Sequence, residues 1–176
     1  MIIIPTRDEL LKEIPYNAVI AELGVFTGAF ANTLLRACQP AELHLIDTWE
    51  GRVECGDKDG ENIQVVEDMS VVYLALAVRG DRRYTLHRGK TLDILATFPD
   101  YYFDFIYVDA DHDEIAVAKD LRMAAKKSLW GIGGHDYCER FNGVMLAVDD
   151  FCADWGWTMT HITQDKCPSY ILRPPT

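Results

Sequence analysis

Several absences narrow what this sequence can be. No apolar run approaches the roughly 20 residues that a membrane-spanning helix needs. The start, Met1-Ile2-Ile3-Ile4-Pro5, has no basic region and too short an apolar stretch for a signal peptide. A cytoplasmic protein with no membrane partner is the default expectation. Positive charge is scarce: 17 Lys and Arg stand against 28 Asp and Glu, a formal net charge of −11. A field of that sign repels phosphate backbones and anionic lipid surfaces, so no nucleic-acid partner is expected. Arg79, Arg82, Arg83 and Arg88 are the nearest approach to a basic patch and read as solvated surface. The five cysteines (Cys38, Cys55, Cys138, Cys152, Cys167) include no CxxC pair and are odd in number, which excludes a disulfide framework and a zinc knuckle. Reduced thiols are expected.

What is present is a chain of 176 residues, 49% apolar and 26% charged, the size and composition of one globular domain spanning 1–176. Short apolar runs alternate with amphipathic segments, the pattern of repeated βα units. After a short helix over 6–13, strands are predicted at 18–24, 43–47, 84–87 and 103–109, then a glycine-rich one at 130–133. Helices are predicted at 28–38, with Phe30, Leu34 and Cys38 on one face, at 63–78 and at 92–96. Another is predicted to start at Asp113 as N-cap, with Ile115, Ala118, Leu121 and Ala125 as its buried stripe. A further helix carries Val144, Ala147, Phe151 and Trp155. Residues 51–60 read as a loop. Strands at 157–163 and 169–172 have no helix between them and must be antiparallel. The expected fold is therefore α/β: a doubly wound, mostly parallel seven-stranded sheet ending in an antiparallel hairpin.

In such a sheet, ligands bind at the carboxyl ends of the strands. The first strand ends in Glu22-Leu23-Gly24-Val25-Phe26-Thr27-Gly28, where the glycines allow either close approach to a ligand or simply a tight turn. The dinucleotide pattern GxGxxG is broken, because Phe26 and Ala29 stand where its later glycines belong. Asp47 ends the second strand within Ile46-Asp47-Thr48-Trp49-Glu50-Gly51. Its carboxylate can accept from both hydroxyls of a ribose or cap a turn. Trp49 offers a flat wall for an adenine, with core packing as the alternative.

Glu22-x-Gly24-x-x-x-Gly28 followed by Asp47 resembles class I S-adenosylmethionine-dependent methyltransferases. Phe103-Asp104-Phe105-Ile106-Tyr107-Val108-Asp109-Ala110-Asp111-His112, followed by Gly133-Gly134-His135-Asp136-Tyr137, is similar to the small family related to the macrocin and mycinamicin sugar O-methyltransferases. The resemblance runs from about Ala18 to Phe151 and implies a Rossmann-like methyltransferase fold. It implies that Glu22, Gly24, Thr27 and Gly28 surround the methionine portion of S-adenosylmethionine. Asp47 would hold its ribose, with Thr48 and Trp49 beside it among the cofactor-binding residues, and Gly89, Lys90 and Thr91 would lie on its adenine side. Asp109 would lie near methyl transfer. Phe26 departs from the central glycine common in class I enzymes.

The same resemblance implies a divalent metal held by Asp109 and Asp136, with His112 as general base. His135 stands where relatives have an acid, which trades an oxygen ligand for an imidazole and shifts the preference from magnesium towards transition metals. A purely structural role for His135, and a helix-capping or cofactor-binding role for Asp109, are the other readings. The expected activity is O-methylation of a small-molecule acceptor, with a homodimer as one way to complete the pocket. A non-catalytic cofactor-binding module and, less well supported, a nicotinamide-dependent oxidoreductase are the competing classes.

Overall fold

The computed structural model describes residues 1–50, 52–56, 62–66 and 82–175. Its elements run β1 (Ile2–Ile4), α1 (Arg7–Leu10), β2 (Val19–Leu23), α2 (Ala29–Ala37), β3 (Glu42–Asp47), β4 (Arg52–Gly56), β5 (Asn62–Val66) and β6 (Tyr84–Arg88). They continue with α3 (Thr91–Ala96), β7 (Phe103–Val108), α4 (Glu114–Lys127), β8 (Ser128–Gly134), α5 (Asn142–Trp155), β9 (Thr158–Thr163) and β10 (Tyr170–Arg173). A single sheet of eight strands is ordered β1-β9-β10-β8-β7-β2-β3-β6. From β8 to β6 all pairings are parallel, and β10 runs antiparallel to both β8 and β9.

Alternation along the strands sends successive side chains to opposite faces. Ile20, Leu43, Leu45, Phe105 and Tyr107 point to one face and pack with Leu10, Leu11, Leu34 and Leu35. Ala21, Ile46, Ile106 and Val108 point to the other and pack with Val117, Leu121, Ala124, Val144 and Phe151. Burial on both faces explains why these strands read as continuous apolar runs. The strand order reverses at β2: the chain adds β3 and β6 on one side, then β7 and β8 on the other. The crevice at such a reversal is where ligands bind in open α/β sheets.

The structure corrects four local expectations. The sheet has an eighth strand, β1, which pairs Ile2–Ile4 in parallel with His161–Thr163; three residues carry too little periodicity to declare a strand. Residues 52–56, expected as loop, pair with 62–66 in an antiparallel hairpin, so the predicted helix over 63–78 does not begin at Ile63. The β-branched Ile63, Val65 and Val66 favour the strand, and the remainder of that helix lies outside the described residues. Ile115 is 64% exposed, because the inward face of α4 is formed by Val117, Leu121 and Ala124. Trp155, in the last turn of α5, is also partly exposed and stacks on Phe151. The predicted cap of α4 is present: Asp113 accepts from the amides of Ile115 and Ala116. Among the described residues, no helix is long and apolar enough to cross a membrane.

Candidate active site

The carboxyl ends of five parallel strands meet on one edge, each continuing into the ladder of its neighbour. The Gly24 amide donates to the Ile46 carbonyl at 3.0 Å, that of Asp109 to Leu23 at 2.9 Å, and that of Gly89 to Asp47 at 2.9 Å. Gly24 has φ +83° and lies against the backbone of Asp109 and Ala110, so that any Cβ there would strike the Asp109 carbonyl. That close approach is the physical reason for a glycine at this turn.

Asp47 organises the turn. Its Oδ2 accepts from the amides of Val25 at 2.7 Å and Phe26 at 3.0 Å, and its Oδ1 from the amide of Trp49 at 2.8 Å. A carboxylate offers about four acceptor positions, so the backbone leaves Asp47 roughly one for a ligand. Phe26 itself has φ +53°, a left-handed conformation uncommon for a bulky residue. Two bonds hold it there: its amide to Asp47, and its carbonyl to the Trp49 indole at 3.2 Å. Trp49 is only 3% exposed and belongs to the core. It braces the turn from behind and lines neither cavity of the site.

Two cavities open on this edge and share Gly24. The first, of about 550 Å³, is lined by Gly24, Asp47, Thr48, Gly89, Lys90 and Thr91, with Ile115 and Asp120 on the α4 side. The second, of about 430 Å³, is lined by Glu22, Thr27, Phe30, Asp109, His112, Asp136 and Arg7. The expected cofactor residues thus divide between adjoining spaces. Gly28 serves instead as the left-handed N-cap of α2.

Glu22 is 1% exposed, and its Oε2 has no hydrogen-bond partner. Burial raises its carboxyl well above the ordinary 4.5, reinforced by Asp109 and Asp47 and opposed by Arg7. Asp109 is pushed up to about 6 by burial, with His135 pulling the other way. Asp136 is bracketed by two imidazoles: His112 Nε2 lies 2.8 Å from its Oδ2 and His135 Nδ1 lies 3.1 Å from its Oδ1. Burial opposes ionisation of Asp136, but these bonds hold it well below the usual carboxylate range. The same bond raises His112, whose ring stacks on Phe141 with centroids 4.2 Å apart.

Among the described residues, Asp109, His112 and Asp136 form a group with metal-ligand chemistry, their ligand atoms all within 4.8 Å of one another. His135, expected in that set, is 3.9 Å from Asp109. Two further residues had no sequence signal. Arg7 reaches across from α1 to lie 3.6 Å from Asp109 and 4.3 Å over the Phe30 ring. Asp120 is buried on α4. Arg7 is brought to the site by tertiary packing, and Asp120 by the helix that follows the Phe103–His112 segment.

With this geometry in view, the comparisons with known proteins are decisive for the family. Residues 21–131 match the sequence pattern of a family described as a methyltransferase domain. The chain belongs to this methyltransferase-domain family. No curated protein matches it by sequence. Among solved structures, it is similar to the ribosomal protein L11 methylase of Lactobacillus delbrueckii subsp. bulgaricus, with TM-score 0.67, 12% identity, and 96% of this chain and 77% of that one covered. It is also similar to a Klebsiella pneumoniae protein provisionally described as an O-methyltransferase, with TM-score 0.64, 22% identity, and 95% and 76% covered. A Pyrococcus horikoshii protein provisionally described as an RNA methyltransferase gives TM-score 0.68, 14% identity, and 96% and 82% covered. At these identities the likeness is one of fold. For this methyltransferase-domain protein, the cofactor implied by the family is S-adenosylmethionine. The residues fit it: a buried, unpartnered carboxylate oxygen on Glu22, with Asp47 and Asp109 nearby, suits a ligand that carries an ammonium and a sulfonium.

Proposed function

We propose that the protein is an S-adenosylmethionine-dependent methyltransferase that methylates a hydroxyl group of a small molecule, with His112 as general base. The His112–Asp136 pair is the single observation that carries the catalytic part of this reading. Bound at the shared edge of the two cavities, the cofactor supplies an electrophilic methyl group on a sulfonium. In this reading Gly89, Lys90 and Thr91 face its adenine, Asp47 and Thr48 its ribose, and Glu22 its cationic end. A hydroxyl acceptor is a poor nucleophile at neutral pH, so a positioned base has to take its proton. Asp136 accepts from His112 Nε2, which fixes the tautomer and leaves Nδ1 with a lone pair for the acceptor proton. His112 lines the second cavity and is 46% exposed at its side chain, so an acceptor can reach it. Transfer to oxygen accords with the macrolide-sugar O-methyltransferases that the sequence resembles.

The acidity of the site argues against the nicotinamide alternative. Asp47, Asp93, Asp111, Asp113 and Asp120 outnumber Lys90 and Lys119 around the first cavity, surroundings that disfavour a pyrophosphate. The net charge of −11 supports a small acceptor over a nucleic acid.

A second reading has its own observation. Asp109, His112 and Asp136 place two carboxylates and an imidazole close enough to share a divalent ion, a donor set suited to transition metals. An ion there would lower the pKa of an acceptor hydroxyl. Incubation with methyl-labelled S-adenosylmethionine and a panel of hydroxylated small molecules tests the proposal. Label transfer to a hydroxyl is expected, and transfer only to amines or to RNA would overturn the assignment to oxygen or to small molecules.

A further inference from the structure

Two cysteines that the proposed chemistry leaves unused meet beside the site. β8 and β10 pair antiparallel, with Gly134 opposite Tyr170. Beyond that ladder the Tyr137 amide donates to the Pro168 carbonyl at 3.1 Å. Cys138 follows the first of these residues and Cys167 precedes the second, so the same contact sets their side chains together. The Cys167 thiol interacts directly with the Cys138 thiol and with the Asp136 carboxylate. Both cysteines are half-buried and free. The other described thiols differ: Cys38 is buried and bonded to the Leu11 carbonyl, and Cys152 sits on α5 beside Asp149.

A pair of thiols suits either a soft metal ion or a disulfide. Zinc in a closed site takes four ligands, and the group of metal-ligating side chains found among the described residues contains neither cysteine. Two thiols in contact are the reactants of a disulfide, which joins residues whose Cα atoms usually lie about 4.4–6.8 Å apart. Cys167 also lines a cavity of about 450 Å³ with Thr6, Arg7, His135 and Lys166, an approach for a small reagent.

Cys138 is tied to the candidate base by two short links. Its amide donates to the Asp136 carbonyl at 2.8 Å, and its carbonyl accepts from the Phe141 amide at 2.9 Å. Asp136 bonds the His112 ring, and Phe141 stacks on it. Movement of Cys138 therefore reaches both groups that hold His112.

We infer that Cys138 and Cys167 form a reversible redox pair, closed by a small-molecule disulfide such as oxidised glutathione, and that closure shifts Asp136 and Phe141 against His112. Closure takes two exchanges. One cysteine, as thiolate, attacks a glutathione sulfur, breaks the glutathione S–S bond and expels one glutathione thiolate. The other cysteine then gives up its proton and attacks the protein sulfur of that mixed disulfide, expelling the second glutathione. The two cysteines lose two electrons and two protons, and oxidised glutathione gains them as two thiols.

The test incubates the intact protein with oxidised glutathione, blocks free thiols and maps the peptides by mass spectrometry without reduction. A Cys138–Cys167 link is expected, two hydrogens lighter than the reduced pair and abolished by dithiothreitol. Cys138→Ser and Cys167→Ser should each leave glutathione on the remaining cysteine, with no internal link. Wild type whose two cysteines stay free, carry glutathione without cross-linking, or pair with other cysteines overturns the inference, whether or not either variant folds. A second arm follows the imidazole NMR signals of His112 at one pH, assigned with His112→Ala. They should move on oxidation and return on reduction, and unmoved signals in fully linked protein overturn the coupling. Neither arm needs cofactor or acceptor, so failure here leaves the methyltransferase reading in place.

Discussion

His112 Nε2 sits 2.8 Å from Asp136 Oδ2, joining the segment after β7 to the segment after β8 at the second cavity. This bond both orients the His112 ring and raises its pKa. His112 must be neutral to take a proton, so the rate should rise with pH through a histidine pKa above the ordinary 6.5. Asp136→Asn removes the main cause of that elevation. Its pH–rate limb should move to lower pH, with a lower plateau because the tautomer is no longer held. His112→Ala should cost about 10²- to 10⁴-fold in kcat, the usual worth of a general base. Unchanged kcat in His112→Ala would remove the histidine from the mechanism.

Glu22 makes a prediction of opposite sign for stability. Its folded-state carboxyl is raised well above 4.5, so the folded protein holds a proton that the unfolded chain has lost. Stability should therefore fall as pH rises from about 4.5 towards the folded value. Glu22→Gln should flatten that dependence and melt no lower than wild type at pH 8, while binding S-adenosylmethionine more weakly. Thermal melts across pH check the first part, and calorimetry the second.

The turn after β2 offers a contrast between two positions of positive φ. Gly24→Ala adds a Cβ against the Asp109 carbonyl and strains φ, and should destabilise by roughly 2–4 kcal/mol. Phe26→Gly relieves a strained φ of +53° but frees the unfolded chain, so the two effects should nearly cancel, within about 1 kcal/mol. Denaturant unfolding of the two variants measures both.

The metal reading separates from the base reading on chelation. With Asp136 directly bonded to His112, the dyad needs no ion, and exhaustive EDTA treatment should leave methyl transfer unchanged. Loss of activity restored by manganese or zinc would assign Asp109, His112 and Asp136 as ligands instead.

Much of this was legible because βα repetition is strongly periodic. The strand ends carrying Glu22, Asp47 and Asp109 could be placed on one edge from the pattern, and Asp113 was readable as a cap. The misreadings share a cause: local sequence does not report what a residue packs against. Trp49 as a wall for an adenine and Trp49 as a core residue look identical in sequence, and only its burial and the bond from its indole to the Phe26 carbonyl decide. Arg7 meets Asp109 across about a hundred residues of chain. Ile115 lies two residues before Val117, about 200° around the helix from the buried face, which puts it on the cavity rim. The three-residue β1 is held by pairing with β9, a partner at the other end of the sequence.

The central claim is that the edge formed by Glu22, Asp47 and Asp109 holds S-adenosylmethionine. Calorimetric titration of the purified protein with S-adenosylmethionine, S-adenosylhomocysteine and NAD tests it most directly. Saturable binding of both adenosyl ligands with no heat from NAD is the predicted result; binding of NAD with neither adenosyl ligand would contradict it.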